Sequence, residues 1–372
     1  MRKILVIALM ILMPAFVFSQ DKPTDRHVFT KVYEVKATPV KNQAQTGTCW
    51  SFATTSFIES ELLRMGKGEF NLSEMYFVRN AYMSKAERFI RFQGKNNFGP
   101  GGQAHDVFDV IRAHGIMPEE AYSGLTEGVT AHNHAELEAG LDGLVNAFAK
   151  NPGKKLSQRW RGAVEGTLDA FLGKVPEKFS YDGKEYTAKS FAQELGINPD
   201  DYVEFTSFAH HPFYSKFELE VPDNWAHECY YNLPIDDIMK IMENALKNGY
   251  SVDWDGDVSE RGFGRDNVAV VPENAKDLDP SKPEKEKTIT DAMRLEAFND
   301  FETTDDHLMH ITGLFTDQAG TKFWLTKNSW GPVGKYGGYW YMSDPYTRYK
   351  MIAILVHKNA VPADLREKLG IK

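Results

Sequence analysis

The chain has 372 residues, of which 42% are hydrophobic and 26% charged, and its formal net charge is −9. This is an ordinary globular composition with enough residues for a large core, and the length allows two or three domains. An acidic chain without a basic stripe argues against nucleic acid or anionic membrane as a main partner.

The first 19 residues have the pattern of a secretory signal peptide. Arg2 and Lys3 precede an apolar run over residues 4–18, and small or polar residues follow it. The run is too short and wrongly flanked for a stable anchor, and no second long apolar run appears. We therefore expect residues 1–19 to be removed and the mature protein to be exported, periplasmic or secreted, without a membrane anchor.

A loop of small and amide residues then runs into an apolar helix, with Cys49 at the junction. Apolar residues over 52–63 recur at the spacing of a helix with one buried face. Cys49 lies in its first turn, where unpaired N–H groups and the helix dipole stabilise a thiolate. Gln43 can offer its side-chain N–H beside the sulfur, as an oxyanion hole requires. A free cysteine that only packs is the commoner case, so this segment alone leaves both interpretations open.

The first half of the chain is predicted to be mainly helical. A short strand is expected at 27–32, and Ser73 is a plausible N-cap for a second helix. A third helix follows the glycine-rich loop 98–102. The sequence pattern changes over residues 123–217. This block contains no recognisable catalytic or binding motif, and a small hairpin is predicted in it with its turn at 182–183. Its predicted amphipathic helices are 136–150, 160–172 and 187–195.

The remainder of the chain is predicted to be β-rich after one more helix at 232–248. The expected strands are 250–254, 307–315, 322–329, 339–342 and 351–356. Helices before strands favour an α+β protein with segregated halves. Asp253, Asp255 and Asp257 resemble a calcium loop, but Gly256 falls too early for one, and a solvated acidic loop is expected.

The two cysteines could pair in an oxidising compartment, but a disulfide would consume the proposed nucleophile. Cys49 and Cys229 are predicted to be free thiols, with Cys229 structural. No carboxylate or thiol joins the pairs at 132/134 and 210/211 at ligand spacing, so we predict no metal and no cofactor.

A thiol nucleophile needs a base, and the base needs an orienter. His307 and His310 compete for the role of base; three residues apart on a strand, they face opposite sides, so only one can face Cys49. Asn328 on the next strand can accept an imidazole N–H, and Trp330 can shield that hydrogen bond from water.

Five motifs in this order resemble the papain superfamily of cysteine peptidases, in particular its bleomycin hydrolase and aminopeptidase C branch. The motifs are Gln43 with Cys49-Trp50-Ser51-Phe52, Leu72-Ser73-Glu74, Gly101-Gly102, His307-Leu308-Met309 with Gly313, and Asn328-Ser329-Trp330-Gly331. The six-residue separation between Gln43 and Cys49 matches the pattern of this family, and so does a glycine six residues after the histidine. Because Gly313 lies six residues after His307, the second separation selects His307 as the base.

The resemblance implies a papain-like α+β fold and a role for each motif. Its domains would be a helical left domain over 20–122, a helical insertion over 123–217 and a β-rich right domain over 218–372. Cys49 would be the nucleophile and His307 the general base and acid, together forming an ion pair. Asn328 would orient the imidazole, and Gln43 with the Cys49 N–H would hold the oxyanion. Gly101 and Gly102 would let a substrate backbone pair as an extra strand.

The expected function is therefore that of an exported cysteine peptidase that cleaves peptides or proteins through a covalent thioester. A catalytically silent peptide-binding module and an acyl transferase using the same residues remain alternatives, and the resemblance allows a ring hexamer. Aminopeptidases of the branch place their C-terminus in the cleft. Only 16 residues follow Val356 here, partly as a short helix, which favours an open cleft with endopeptidase cleavage over amino-terminal trimming.

Overall fold

The computed structural model describes residues 26–150, 153, 155–264, 266–274 and 278–372. The predicted signal peptide, residues 1–19, lies outside the described residues. Across those ranges, none of the helices combines the length and the apolar character that a membrane crossing demands.

The first layer consists of helices gathered around a central one. Helix α1, Cys49–Arg64, is buried on nearly all sides, as expected of a helix with other elements on every face. The helices that follow in the first half are α2 (Glu74–Arg91), α3 (Ala104–His114), α4 (Ala135–Ala149), α5 (Arg159–Leu172) and α6 (Ala188–Leu195). Their apolar faces and that of α1 form one continuous core.

The second layer is a ten-stranded, mostly antiparallel sheet. Its strands are β1 (Thr30–Glu34), β4 (Tyr202–Thr206), β5 (Ser215–Glu218), β6 (Cys229–Asn232), β7 (Val252–Gly256), β8 (Val268–Ala269), β9 (His307–Thr316), β10 (Lys322–Lys327), β11 (Tyr339–Ser343) and β12 (Met351–His357). They lie in the order β5-β6-β4-β12-β7-β9-β10-β11-β8, and β1 pairs with the second half of β9. A separate hairpin joins β2 (Phe179–Tyr181) to β3 (Lys184–Tyr186) through the predicted turn.

The centre of the sheet is buried on both faces. Leu308 and Leu355 belong to the core around α1, whereas Met309 and Ile354 belong to a second core on the far face. The far face is covered by α7 (Ile235–Lys247), α8 (Asp291–Asn299), α9 (Asp344–Lys350) and α10 (Ala363–Leu369). Strands buried on both faces lose the apolar–polar alternation, and β9 is accordingly an apolar run interrupted by histidines.

Three sequence predictions differ from the observed fold. The predicted insertion, 123–217, was expected to be helical apart from a hairpin, yet it supplies β4 and β5 to the main sheet. The helix predicted from residue 232 begins at Ile235, because residues up to 232 pair as β6 and Pro234 precedes the helix. The predicted solvated loop at Asp253–Asp257 is wrong: Asp253, Asp255 and Asp257 are only 1–3% exposed, because β7 is an inner strand of the sheet.

The segment after β12 leads away from the start of α1. His357 ends β12 against the ring of Tyr250, and Arg64, the last residue of α1, covers that same ring. A 16-residue helix is about 24 Å long, so β12 ends roughly that far from Cys49. Helix α10 then packs into the core on the far face of the sheet. Residues 363–371 therefore do not enter the cleft beside Cys49.

Candidate active site

Cys49 is the first residue of α1 and lies where the helix meets the sheet. The preceding Thr48 makes no side-chain cap, so the N–H groups of the first turn are not capped by that residue. The backbone amide of Leu308, on β9, hydrogen-bonds to the Cys49 sulfur. Because Leu308 follows His307 directly, this contact brings the thiol beside the histidine that the sequence selected.

His307 is held by the residues predicted to orient it. Its Nε2 lies 2.8 Å from Oδ1 of Asn328, which follows β10. The indole of Trp330 covers the imidazole, with ring centroids 4.8 Å apart. An acceptor on Nε2 fixes the hydrogen there and leaves Nδ1 free to take a proton. This is the arrangement that a general base requires.

His310 belongs to a different environment. Its Nδ1 lies 2.9 Å from the hydroxyl of Ser56, two turns along α1 from Cys49, and Lys327 donates to the same hydroxyl at 2.7 Å. The side chain is fully buried. The two histidines therefore lie in different environments: His310 contacts Ser56 within α1, whereas His307 lies against Trp330.

Gln43 is fixed at both ends of its side-chain amide. Its Nε2 donates to the carbonyl of Thr46 at 2.8 Å, and its Oε1 accepts from the hydroxyl of Ser329 at 2.6 Å. An amide nitrogen carries two hydrogens, so one remains for an oxygen beside Cys49. Ser329 follows Asn328 directly. The amide and the imidazole are therefore positioned by the same short segment of the sheet.

The pKa shifts of Cys49 and His307 in the free site oppose the ion pair that the resemblance implied. Burial raises the pKa of the Cys49 thiol to about 12; the Leu308 amide lowers it, and the carboxylates of Asp305, Asp255 and Asp223 raise it further. Burial lowers the pKa of His307 to about 4, against the effect of the Asn328 hydrogen bond. Both directions favour a neutral thiol and a neutral imidazole, because burial disfavours the charged form of each group and the carboxylates further oppose the thiolate.

Gly101 and Gly102 lie on the opposite wall of the site, and neither is open on its Cα side. A methyl group on Gly101 would lie 1.9 Å from Oδ2 of Asp223, and one on Gly102 would lie 3.1 Å from the Trp50 ring. The Gly101 carbonyl accepts a hydrogen bond from Lys85. Pairing of a substrate strand with these glycines stays a prediction, and at Gly101 a carboxylate occupies the space expected to be free.

Sequence reasoning missed the three acidic residues around Cys49. Asp305 is two residues before His307, Asp255 was assigned to a solvated loop, and Asp223 had no motif. The alternation of Asp253 and Asp255 along a predicted strand was a usable signal, because period-2 residues share a face. No signal in the sequence places Asp223 against Gly101, since 122 positions separate them.

Two further sequence arguments need correction. Cys229 is exposed and free, so it is not a structural core residue. The argument that no carboxylate joins His210 and His211 fails in three dimensions: Glu220 lies beside them, with one ligand atom from each residue within 4.8 Å of the others. All three already interact as neighbours, with Glu220 Oε2 2.7 Å from His210 Nε2. The prediction of no metal remains untested.

A thiol at a helix N-terminus, beside an imidazole that an asparagine orients, is the arrangement of a papain-like cysteine peptidase. The α+β fold around it, with the thiol on the helical layer and the imidazole on the sheet, is of the same class, and the chain is a cysteine peptidase of papain-like fold. More particularly, residues 12–371 match the Peptidase C1-like family, and the chain belongs to that family.

Relatives of known name agree with this assignment. Aminopeptidase G of Lactobacillus delbrueckii subsp. lactis is 23% identical over 95% of this chain and 86% of its own length. Bleomycin hydrolase of Mus musculus is 24% identical over 91% of this chain and 84% of its own length. The crystal structure of PepW from Lactobacillus rhamnosis HN001 superposes with a TM-score of 0.73, at 22% identity over 92% of this chain and 84% of that one. At this identity the structural likeness establishes the fold.

Proposed function

We propose that this protein is an exported aminopeptidase that hydrolyses peptides through a thioester at Cys49. The observation that carries the chemistry is the hydrogen bond between His307 and Asn328 next to the helix-terminal thiol. Its relatives include several proteins named aminopeptidase, which supports hydrolysis from the amino end.

In the proposed mechanism the substrate carbonyl lies between Cys49 and Gln43. His307 takes the thiol proton at Nδ1 as sulfur attacks the carbonyl carbon, and the developing oxyanion accepts from the Gln43 amide and the Cys49 N–H. The imidazolium then protonates the leaving amine, which leaves a thioester. Water, deprotonated by His307, attacks that thioester, and the acid is released with Cys49 as a neutral thiol again.

A neutral Cys49 thiol and a neutral His307 imidazole in the free site are compatible with this mechanism. Proton transfer from sulfur to imidazole creates two opposite charges within the site, and formation of the thiolate becomes easier when the nearby negative charge is compensated. Asn328 stabilises the imidazolium because its Oδ1 accepts from Nε2 in both protonation states.

Amino-terminal trimming replaces the endopeptidase cleavage that the sequence favoured. That preference assumed an open cleft, whereas the Asp223 carboxylate lies against Gly101. The test is cleavage of a tetra-alanine peptide with a free or an acetylated amino end, with products identified by mass spectrometry. Release of single N-terminal residues from the free peptide supports the proposal, and internal cleavage of both peptides contradicts it.

Export and assembly are separate parts of the proposal. The charged and apolar pattern of residues 1–19 supports removal of a signal peptide. Sequencing the amino end of protein purified from the periplasm or medium tests it, and retention of residue 1 in a cytosolic fraction contradicts it. Three expectations about partners remain predictions: a peptide substrate, no nucleic acid or membrane partner, and a possible ring hexamer. Light scattering would measure the oligomeric state.

A further inference from the structure

The segment from Leu219 to Cys229 crosses from the sheet to the helical layer and is fixed there by hydrogen bonds. Asn97 Nδ2 donates to the carbonyl of Pro222 at 2.8 Å, and the Trp225 indole donates to Asp106 at 2.8 Å. These contacts hold Asp223 in place. Its carboxylate rests on the Cα of Gly101, and its Oδ1 accepts a longer bond from Asn97 at 3.3 Å.

Gly101 is itself next to the nucleophile's loop. A methyl group on Gly47, two residues before Cys49, would lie 2.7 Å from Pro100 and 3.9 Å from the Gly101 nitrogen. The Asp223 carboxylate therefore lies along the wall that a substrate must follow to reach Cys49.

Two more carboxyl groups reach the same place from the sheet. Asp255 is opposite Leu308 in the pairing of β7 with β9, and it shares a sheet face with Asp253, which accepts from Thr54 of α1 at 2.6 Å. Asp255 therefore points toward α1, closer than Asp253 to its first turn. Asp305 lies just before β9 and accepts from Gln103 Nε2 at 2.7 Å.

Of the three carboxyl groups, that of Asp255 is buried with the fewest hydrogen-bond partners. It is 3% exposed, and neither of its carboxyl oxygens has a hydrogen-bond partner of normal geometry in the described part of the chain, although Asp305 and the Gln103 amide lie close enough to shift its pKa. The charged side chains that act on Asp255 and Asp305 are themselves acidic, and burial raises the pKa of Asp305 to about 8. Lys85 acts on Asp223 but also hydrogen-bonds the carbonyls of Gly99 and Gly101. A buried carboxylate without a counter-ion is costly, and a cationic ligand removes that cost.

We infer that Asp223, Asp255 and Asp305 form the site that binds the free α-ammonium group of the peptide substrate. The inference rests on the proposed function and names the residues that make it an aminopeptidase. An α-nitrogen is two covalent bonds, about 2.5 Å, from the carbonyl carbon that sulfur attacks. A site for it must therefore lie near Cys49. Asp223 rests on Gly101, and Asp255 is opposite Leu308, the residue whose amide contacts the sulfur. Asp305 is two residues before His307. No such group comes from residues 363–371, which pack on the far face of the sheet.

The same site couples substrate binding to the nucleophile. In their ionised form these three carboxyl groups oppose thiolate formation at Cys49. An ammonium group among them cancels that negative charge, so the thiol becomes easier to ionise only when a substrate with a free amine is bound. A blocked peptide provides no such compensation.

The experiment measures binding in a protein that cannot cleave the peptide. The probes are tetra-alanine, its N-acetyl form, and an N-acetyl peptide with lysine in the first position. Binding to Cys49→Ala protein is measured by calorimetry, alone and combined with Asp223→Asn. Tetra-alanine should bind about ten- to hundredfold more tightly than its acetylated form, and Asp223→Asn should remove that difference, because a charge-assisted hydrogen bond is lost. Glu228→Gln, an exposed carboxyl of the same segment, is the matched control and should bind as the parent does.

Three results would overturn the inference. The first two are equal binding of the free and acetylated peptides and no effect of Asp223→Asn on binding. The third is binding of the lysine probe as tight as that of tetra-alanine, which would indicate a pocket for a side chain. Because the binding assay uses protein without its thiol, its result does not depend on whether the proposed peptidase reaction takes place. Iodoacetamide provides an independent readout, since Asp223→Asn should accelerate alkylation of Cys49 several-fold at pH 7.5 while Glu228→Gln does not. An unchanged rate would also count against the inference.

Discussion

Ser329 donates its hydroxyl to the side-chain oxygen of Gln43 over 2.6 Å, and so joins the proposed oxyanion amide to the segment that orients the base. The residue before it, Asn328, holds His307, and the Ser329 backbone N–H also donates to Asn328 Oδ1 at 2.7 Å. Residues 286 positions apart in sequence are thereby fixed relative to one another. Any displacement of this segment moves the base and the oxyanion site together.

Gln43→Ala should lower kcat by about 10²–10³ with little change in KM, because an oxyanion donor acts mainly in the transition state. Ser329→Ala keeps the amide and removes only its restraint, so a smaller loss, about three- to tenfold, is expected. Steady-state kinetics on tetra-alanine measure both. A larger effect of Ser329→Ala than of Gln43→Ala would contradict these assignments.

Cys49→Ala should abolish turnover and leave the fold intact, because it shortens one small side chain at the start of α1. The loss should reach several orders of magnitude, since the nucleophile and base act as a unit. Cys229→Ala is the control: this thiol is exposed and outside the site, so activity should be retained. Substantial hydrolysis by Cys49→Ala, with unfolding curves unchanged, would refute the mechanism.

His307→Ala should remove activity, whereas His310→Ala should act through stability. Loss of the His310 ring leaves a cavity and removes one of the two hydrogen-bond partners of the Ser56 hydroxyl, which costs about 2–4 kcal/mol in the free energy of unfolding. Activity per folded molecule and urea unfolding together separate the two effects. If His310→Ala lost the thiol's reactivity toward iodoacetamide and His307→Ala kept it, the assignment would be reversed.

Asp305 should make the protein less stable as the pH rises from neutrality. Its carboxyl has a pKa of about 8 in the folded protein and about 3.9 when unfolded, so the folded state binds the proton more tightly. Its contribution to the free energy of unfolding is complete below about pH 4 and is lost as the pH approaches 8. Asp255, Asp223 and Asp306 face the same group and share this direction.

Asp305→Asn should therefore flatten the decrease in Tm between pH 6.5 and 8. This window avoids His307 and His134, whose pKa values of about 4 give the opposite slope at lower pH. Glu136→Gln, an exposed carboxyl on α4, is the control and should leave the curve unchanged. Equal slopes for Asp305→Asn and the parent protein would show that this group ionises freely in the folded state.

The local pattern of the sequence was sufficient for the helix that carries Cys49, for the strand that carries His307 and for the family. Apolar spacing and short motifs are read within a few residues, and a helix N-terminus beside a cysteine has chemical meaning before any packing is known. Asn328 was predictable for the same reason, because it follows the strand next to that of His307. Each of these predictions depends only on residues that are close in the sequence or that lie on adjacent strands of one sheet.

Only the tertiary structure decided what surrounds the thiol. The position of Asp223 on Gly101, the burial of Asp255 on an inner strand and the membership of β4 and β5 in the main sheet all depend on contacts between distant segments. The protonation of Cys49 and His307 follows from the same contacts, since burial and nearby carboxylates set a pKa and neither is encoded locally. The sequence determined which groups can react; the packing of the two layers decided the charge they face.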